Sequence, residues 1–247
     1  MLCSIITVSY NSATTIRDTI NSVLSQSYTN IEYIIIDGQS TDGTIDIIKS
    51  YGNKISKFIS ESDKGIYDAM NKGLKIATGD IIGILNSDDM YASDNVLQKV
   101  ADTFKDPSIE ISYGDLNYVK ANDINTITRK WKAGTHQLKS FYWGWMPPHP
   151  TVFVRKDIYE KVGIFNTQLK SAADYELMLR MFVKYRCKAE YIPYLMIKMR
   201  AGGVSNASIK NRIKANQEDR LAWKINNLRP YFFTLLLKPL RKFKQFI

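Results

Sequence analysis

Cysteine is scarce in this chain of 247 residues, since only Cys3 and Cys187 occur. Two cysteines cannot form a disulfide framework, and the sequence contains no Cys-X-X-Cys pair of the kind found in zinc sites. A run of about 18 apolar residues, which a membrane-spanning helix requires, is also missing. The segment from Met1 to Ser4 lacks the basic character with which a signal peptide begins. We therefore expect a protein of a reducing compartment, located in the cytoplasm.

The amino-acid composition is that of a globular protein. Hydrophobic residues make up 45% and charged residues 23% of the chain, values that exclude collagen, a coiled coil and bulk disorder. The length suffices for one large domain or two small ones with a hydrophobic core.

Positive charge is concentrated near the C-terminus. The net charge of the whole chain is +10, and residues 206–247 contribute +8 of it, from ten Lys and Arg residues against Glu218 and Asp219. Such an asymmetry predicts an anionic partner, either nucleic acid or a membrane surface.

The end of this basic segment is amphipathic. One face of a predicted helix, which Pro239 would kink, contains the apolar residues Phe232, Leu236, Leu240, Phe243 and Ile247. Such a segment either lies in the interface of an anionic membrane or packs as a helix on the protein body or on a dimer partner. We favour the membrane.

The first half of the chain alternates predicted strands and helices. Strands are expected at 2–8, 31–36, 55–60 and 80–85, and helices at 14–25, 66–77 and 95–104. This alternation predicts an α/β fold with a parallel, doubly wound sheet, in which ligands bind beyond the carboxyl ends of the strands. Three of these ends carry polar residues that we expect to line one crevice: Ser9-Tyr10-Asn11, Asp37 and Asn86-Ser87-Asp88-Asp89.

The second half is less regular. Short strands are expected at 109–119, 126–131 and 151–154, and helices at 157–162 and 173–185. An aromatic, proline-rich segment occupies residues 141–150, and no linker is evident before about residue 206.

Adjacent carboxylates at the end of a buried strand are suited to a divalent cation. Mg²⁺ usually binds through one or two carboxylates together with substrate phosphates, and Mn²⁺ accepts the same oxygen ligands. Asp88 and Asp89 therefore predict a metal that bridges a nucleotide diphosphate. Taken alone, the pair is better explained by a capped turn before the helix at 95–104.

Other acids stand at positions where a ligand or a turn would place them. Asp37 precedes Gly38 and could accept a hydrogen bond from a base, although an ordinary Asp-Gly turn explains it at least as well. Tyr10 could stack on the base, but taken alone it is better explained as a packed aromatic. Asp63 and Asp174 each precede or begin a helix, where capping is the simpler interpretation. A general base that deprotonates a hydroxyl is the alternative for Asp174.

The motifs gain specificity from their order. They are Thr-Val-Ser-Tyr-Asn, Asp-Gly-Gln-Ser-Thr-Asp-Gly-Thr, Asp-Lys-Gly-Ile-Tyr-Asp-Ala-Met-Asn-Lys-Gly, Gly-Asp-Ile-Ile-Gly-Ile-Leu-Asn-Ser-Asp-Asp, His-Pro-Thr-Val-Phe-Val-Arg and Ala-Asp-Tyr-Glu-Leu. With this set, residues 1–205 resemble the family-two glycosyltransferases of the GT-A fold. The resemblance is strongest to bacterial enzymes that build O-antigen, lipopolysaccharide, capsule or other exopolysaccharide.

The resemblance implies a role for each matching residue. Asp88 would hold the metal on the diphosphate, Asp174 would be the catalytic base, and His149 and Trp145 would lie near the acceptor. The nucleotide and donor sugar would be bound by Thr7, Ser9, Tyr10, Asp37, Asp63, Asp68, Asn86, Ser87, Asp89 and Arg200. The segment 199–205 resembles one that closes over the site.

Two positions depart from the family pattern. Asn86 replaces the first aspartate of the Asp-X-Asp metal motif, which removes one charge from the site. Ala173 replaces the glutamate that usually precedes the base.

The resemblance implies an inverting glycosyltransferase that uses a divalent cation, Mn²⁺ or Mg²⁺. The donor would be a nucleotide sugar, with UDP as the first choice, and the acceptor a hydroxyl of a glycan or of a polyprenyl-linked glycan. We expect residues 1–105 to form the nucleotide-sugar half of a GT-A domain, 106–205 its acceptor half, and 206–247 a basic helical extension. Peripheral contact with the inner face of the membrane and a homodimer are the expected associations.

Three other classes of function are open to the sequence. A nucleic-acid- or membrane-binding protein on a catalytically silent GT-A scaffold would explain the basic segment, but acids at the strand ends repel phosphate in the absence of a metal. A dinucleotide-dependent dehydrogenase would need a Gly-X-Gly-X-X-Gly motif after the first strand, where Ser9-Tyr10-Asn11-Ser12 stands. A glycoside hydrolase would need two carboxylates across a sugar ring.

Overall fold

A computed structural model describes residues 1–137, 139–202, 209–241 and 245. The strands of its sheet are β1 (Cys3–Ser9), β2 (Ile31–Asp37), β3 (Lys57–Ser60), β4 (Ile81–Asn86), β5 (Asp89–Tyr91), β6 (Ile111–Lys120), β7 (Asp123–Trp131), β8 (Phe153–Arg155) and β9 (Ala189–Arg200). The helices are α1 (Ile16–Leu24), α2 (Thr44–Lys49), α3 (Ile66–Ile76), α4 (Val96–Thr103), α5 (Lys156–Val162), α6 (Ala173–Met178), α7 (Ile209–Ile225) and α8 (Thr234–Leu240).

The sheet is mostly parallel at its N-terminal half. Its strand order is β3-β2-β1-β4-β8-β6-β9-β5, and β7 pairs with β6 outside this path. Strands β3, β2, β1 and β4 run parallel, whereas β8 is antiparallel to both β4 and β6. The predicted α/β fold with helices flanking a mostly parallel sheet is thus confirmed. The parallel half directs the carboxyl ends of β1, β2 and β4 to one edge.

The central strands are hydrophobic on both faces because helices cover both sides of the sheet. Every residue of β1 is buried, and alternate residues join opposite cores: Ile6 and Val8 on one side, Cys3 and Ile5 on the other. This is the reason for the continuous apolar run in its sequence. Each fully buried aliphatic side chain contributes roughly 1.5–3 kcal/mol.

Helix periodicity decides which faces pack on the sheet. In α1 the buried residues Ile16, Thr19, Ile20 and Val23 recur at intervals of three and four. The helix expected at 173–185 is divided, because α6 ends at Met178 and a wider π-helical turn follows over Leu179–Lys184.

The C-terminal helices pack on the body of the protein. Trp223 of α7 is 1% exposed, joins the core that contains α6, and donates from its indole nitrogen to the Tyr175 hydroxyl at 2.9 Å. Thr234 of α8 donates to the backbone oxygen of Tyr142 at 2.7 Å. The described part of the basic segment is therefore held by tertiary contacts.

The amphipathic face expected at the C-terminus is partly visible. Phe232, Leu236 and Leu240 are 93%, 60% and 54% exposed, so they remain available to a further partner. Phe243 and Ile247 lie outside the described residues. No helix in the described ranges has the length and apolar character needed to cross a membrane.

Substitution of Trp223 tests whether α7 belongs to the folded core. We expect Trp223→Ala to lower the free energy of unfolding by about 3–5 kcal/mol, since it leaves a cavity and an unpaired Tyr175 hydroxyl. Urea denaturation measures the change. Trp143→Ala serves as the control because Trp143 is 51% exposed, and its cost should be at most about 1 kcal/mol. Equal costs for the two variants would contradict a core position for α7.

Candidate functional site

A cavity of about 1100 Å³ opens at the carboxyl ends of β1, β2 and β4. Its polar and charged lining comprises Ser9, Tyr10, Asn11, Ser12, Thr14, Thr15, Gln39, Ser62, Asp63, Tyr67, Asn86, Ser87, Asp88, His149, Lys170, Ser171, Asp174 and Lys214. Asp88 and Asp174 come from distant parts of the chain and share this one cavity. A pocket with several convergent polar groups is the first place to look for a binding site.

Asp37 lies behind the lining residues Ser9 and Gly38 and does not itself line the cavity. The side chain is fully buried, and its carboxylate accepts hydrogen bonds from the hydroxyls of Ser9 at 3.0 Å, Ser40 at 2.5 Å and Ser60 at 2.8 Å. The Ser40 amide adds a fourth bond at 2.9 Å. Asp37 therefore fixes the turn through Gly38, and its expected contact with a base stays a prediction. Thr7 is also fully buried, 3.1 Å from the Tyr33 hydroxyl.

Tyr10, Gly38 and Asp63 form one wall of the cavity. Tyr10 is 67% exposed, which leaves its ring accessible to a ligand. A Cβ atom at Gly38 would stand 2.5 Å from Asp63 Oδ2 and 3.3 Å from Tyr10 Cδ2. Asp63 Oδ1 accepts a hydrogen bond from the Gly65 amide at 2.8 Å. Asp68 accepts one from the Lys64 amide at 3.0 Å and is not among the lining residues, so it stabilises the start of α3.

The Asn86–Asp89 turn brings two carboxylates together, and few neighbouring groups offset their negative charge. Asp88 lines the cavity, whereas Asp89 is fully buried behind it. Burial raises the pKa of Asp88, and burial together with the Asp88 charge raises the pKa of Asp89 well above its ordinary value. Ser87 faces the cavity and pairs its hydroxyl with that of Ser12 at 2.7 Å.

The same turn has oxygen atoms that suit a hard cation. Asn86 Oδ1 and Asp89 Oδ1 are buried and accept no hydrogen bond, although Asn86 Nδ2 donates to Asp89 Oδ2 at 3.3 Å. Within the described ranges no cluster of three or more His, Cys, Asp or Glu residues could hold a metal by itself. The donor set thus fits a divalent cation that takes its remaining ligands from a bound phosphate group.

Arg200 is committed to structural contacts beside this turn. The side chain is 7% exposed, forms an ion pair with Asp18, and donates to the backbone oxygens of Asp88 at 2.9 Å and Ala121 at 3.3 Å. It is absent from the lining, and the lining cations within the described residues are Lys170 and Lys214. Arg200 thus stabilises the backbone at Asp88. Its contact with donor phosphates stays a prediction. Of the segment 199–205, residues 203–205 lie outside the described residues.

Asp174 faces the cavity from the start of α6. The Tyr67 hydroxyl donates to Asp174 Oδ1 at 3.1 Å. Burial and the nearby Asp174 charge raise the pKa of Tyr67, so the hydroxyl remains protonated and acts as a donor. His149 lines the same cavity with its ring edge-on to Phe165 at 5.6 Å, and burial lowers the His149 pKa against the opposing effect of Asp174.

Glu218 of α7 orients the loop that carries Asp174. Its Oε2 atom accepts hydrogen bonds from the Ser171 amide at 2.7 Å, the Ser171 hydroxyl at 2.9 Å and the Ala172 amide at 3.1 Å. Three bonds to one charged oxygen fix the residues just before α6. The basic C-terminal segment thereby contributes to the site, through Glu218 and through Lys214 in the lining.

Trp145 lies elsewhere. It is 6% exposed, donates from its indole nitrogen to the Ala133 backbone oxygen at 2.7 Å, and lines a second, smaller cavity. Its expected role at the acceptor has no support from its position, since it does not border the cavity that contains Asp174.

Sequence reasoning did not single out Tyr67, Lys170 or Lys214. Tyr67 lies between Asp63 and Asp68, whose carboxylates are the more evident candidates. A tyrosine on an amphipathic helix is not by itself a sign of a functional site. The two lysines come from a loop and from the basic segment, where charge predicts an exposed surface.

The sequence is similar to those of known glycosyltransferases. The sequence model of Glycosyl transferase family 2 matches residues 4–163. A PGL/p-HBAD biosynthesis glycosyltransferase of Mycobacterium bovis is 26% identical over 211 residues, which cover 83% of this chain and 80% of that protein.

Solved structures share the fold. Staphylococcus aureus TarS 1-349 in complex with UDP-GlcNAc has a TM-score of 0.70 at 18% identity, over 92% of this chain and 65% of that chain. The mannosyltransferase PcManGT from Pyrobaculum calidifontis, in complex with GDP-Man and Mn²⁺, has a TM-score of 0.66 at 19% identity, over 95% of this chain and 67% of that chain.

The close approach of Gly38 to Asp63 can be tested by adding one methyl group. We expect Gly38→Ala to displace the Asp63 carboxylate and the Tyr10 ring, and to weaken UDP binding about tenfold or more. The free energy of unfolding should change by less than about 1 kcal/mol, because the displaced atoms are at the ends of side chains. Calorimetry and urea denaturation measure the two quantities. Asp68→Ala should keep UDP affinity, and a comparable loss in that variant would contradict the assignment of this wall.

Proposed function

The chain belongs to glycosyl transferase family 2, and we propose that it transfers a sugar with inversion from a UDP-sugar to a hydroxyl of a glycan or a lipid-linked glycan. The observation that carries this proposal is the shared cavity of Asp88 and Asp174. In this proposal Asp88 would bind a cation together with the diphosphate, and Asp174 would deprotonate the acceptor hydroxyl.

The donor would bind along the wall formed by Tyr10, Gly38 and Asp63. An exposed aromatic ring and an acceptor oxygen are the groups that recognise a base by stacking and hydrogen bonding. Lys170 and Lys214 supply positive charge at the cavity lining, suited to a diphosphate. TarS is bound to UDP-GlcNAc and PcManGT to GDP-Man, and we propose the uridine nucleotide for this chain.

Asp174 would act as the general base. As the acceptor oxygen attacks the anomeric carbon, Asp174 takes its proton, and the bond from that carbon to the nucleoside diphosphate breaks. The Tyr67 hydroxyl holds Oδ1 at 3.1 Å, which leaves Oδ2 for the acceptor. Glu218 keeps the preceding loop in place, so that the carboxylate is positioned before the acceptor arrives.

Asp88, with the buried oxygens of Asn86 and Asp89, would hold a divalent cation, Mn²⁺ or Mg²⁺. Such a cation, when bound, offsets the charge that develops on the leaving diphosphate. The raised pKa values of Asp88 and Asp89 support this assignment, since a nearby cation would favour their ionised forms.

The wider setting is also proposed. The product would contribute to a cell-surface polysaccharide, such as lipopolysaccharide or capsule. The protein would lie at the inner face of the membrane as a peripheral homodimer. The exposed apolar residues of α8 and the basic C-terminal segment support membrane contact. A silent scaffold that binds nucleic acid is the alternative, and absence of nucleoside diphosphate release from any sugar nucleotide, with Mn²⁺ or Mg²⁺ and a lipid-linked acceptor, would favour it.

Asp174→Asn separates catalysis from donor binding. We expect the rate of sugar transfer to fall about 10²–10⁴-fold, because the amide cannot accept the proton. UDP-sugar affinity, measured by calorimetry, should stay within a factor of about two. Asp157→Asn, an exposed acid on α5, is the matched control and should retain full activity. Near-normal turnover of Asp174→Asn would remove Asp174 from the role of base.

Asp88→Ala examines the metal assignment. We expect UDP binding to weaken about tenfold or more, since the cation would link this carboxylate to the diphosphate. Removal of Mn²⁺ by EDTA should then have no further effect on UDP binding. Titrations with and without Mn²⁺ measure both effects. Asp106→Ala removes an exposed acid outside the cavity and should leave them intact. A metal dependence that survives in Asp88→Ala would refute the assignment.

A further inference from the structure

A second cavity, of about 500 Å³, lies between the end of β7, the segment from Gly144 to Met146, and α8. Five of its lining residues are cationic: Arg129, Lys130, Lys132, Lys238 and Arg241. No lining residue from the described part of the chain carries a carboxylate. A concave site with this excess of one sign concentrates anions. The cavity is separate from the one that contains Asp174, and the proposed transfer reaction does not use it.

Two of the cations are held in place by neighbouring groups. Arg129 lies over the rings of Tyr118, at 4.5 Å, and Trp131, at 5.4 Å, and its Nε donates to Gln245 Oε1 at 2.6 Å. Lys238 forms an ion pair with Asp219 at 2.7 Å. Fixed cations form a preorganised wall, because little side-chain entropy is lost when a ligand binds.

The remaining cations are at the mouth of the cavity. Lys130, Lys132 and Arg241 are exposed, and Arg241 Nη1 lies 3.5 Å from the Trp143 backbone oxygen. They leave the positive charge of the cavity open to an incoming anion. The cavity keeps a positive excess, since five of its lining residues are cationic and none from the described part of the chain is acidic.

Exposed apolar side chains occur on the elements that line this cavity or next to them. Leu236 and Leu240 belong to α8, the helix that also supplies Lys238, and both are more than half exposed. Phe232 precedes this helix and is 93% exposed. Trp143, next to the lining residue Gly144, packs on Phe233 with ring centroids 5.1 Å apart and keeps 51% of its surface exposed. A basic cavity on elements that also expose apolar side chains matches an amphiphile with an anionic head.

We propose that this cavity binds the phosphate group of an anionic membrane lipid, while Phe232, Leu236 and Leu240 enter the interface of the bilayer. The inference rests on the proposed membrane contact and narrows it to one site. Phosphate is the anion that clustered Arg and Lys residues recognise at membrane surfaces, and amphipathic helices add apolar contact beside it. The size fits a single head group, and an extended nucleic-acid backbone would make no use of the exposed apolar residues.

The decisive comparison uses two variants with the same change in net charge. Lys130→Ala/Lys132→Ala removes two exposed cations from the cavity, and Lys49→Ala/Lys54→Ala removes two exposed cations from α2 and the turn after it. Binding of the full chain to phosphatidylcholine vesicles, with and without phosphatidylglycerol, is measured by co-sedimentation. We expect wild type to need phosphatidylglycerol. The cavity variant should bind about tenfold more weakly or worse, and the control within a factor of about two. Equal losses would mean unspecific attraction and would overturn the proposal.

Two further arms identify the source of the phosphate. Inorganic pyrophosphate should displace wild type from the vesicles, and Leu236→Ser/Leu240→Ser should weaken vesicle binding while pyrophosphate binding, measured by calorimetry, is kept. Unchanged vesicle binding in the leucine variant, or tighter binding of single-stranded RNA than of vesicles, would overturn a lipid site. UDP affinity of the cavity variant is measured in parallel and should equal that of wild type. The vesicle result therefore stands or fails independently of the transferase proposal.

Discussion

The arrangement of this protein depends on how carboxylates are accommodated at the carboxyl ends of parallel strands. Asp37 is buried with four hydrogen bonds from serine hydroxyls and an amide, which satisfy its charge within the protein. Asp88 and Asp89 are less well compensated: Asn86 donates to Asp89 Oδ2 at 3.3 Å, and Asp89 Oδ1 accepts no hydrogen bond. Asp37 therefore supports the cavity from behind. Asp88 and Asp89 have few hydrogen-bond donors around them, and a bound ligand can offset their remaining charge.

The position of Asp174 depends on α7, which the sequence predicted only as part of a basic helical extension. Helix α7 contacts α6, which carries the proposed base, through Trp223 and Tyr175. Glu218 of α7 accepts three hydrogen bonds from the loop before Asp174. An acid with three donors on one oxygen orients a backbone more rigidly than a surface ion pair. Ala173, the residue before the proposed base, has no carboxylate, and it is Glu218 of α7 that accepts hydrogen bonds from this loop.

The strand–helix alternation of the first half predicted the fold because burial on both faces leaves an unbroken apolar run, as in β1. Strand ends likewise indicated the cavity, and Asp88, Asp174, Tyr10 and His149 all line it. The depth of each acid could not be predicted, since Asp37, Asp88 and Asp89 all follow or end a buried strand and only the structure shows that Asp37 and Asp89 are fully buried. Contacts such as Tyr67 with Asp174 join residues far apart in the chain and leave no local pattern.

Of the two cavities, helix α6 lines the first and contacts one residue of the second. Asp174 lines the first, and the ring of the next residue, Tyr175, lies 3.6 Å from the ammonium group of Lys238, which lines the second. A cation held against a buried ring and paired with Asp219 has little freedom to move. A lipid phosphate bound in the basic cavity would therefore hold the base at a fixed distance from the bilayer. An acceptor carried on a membrane lipid needs that constraint, because its reactive hydroxyl can reach only a limited height above the surface.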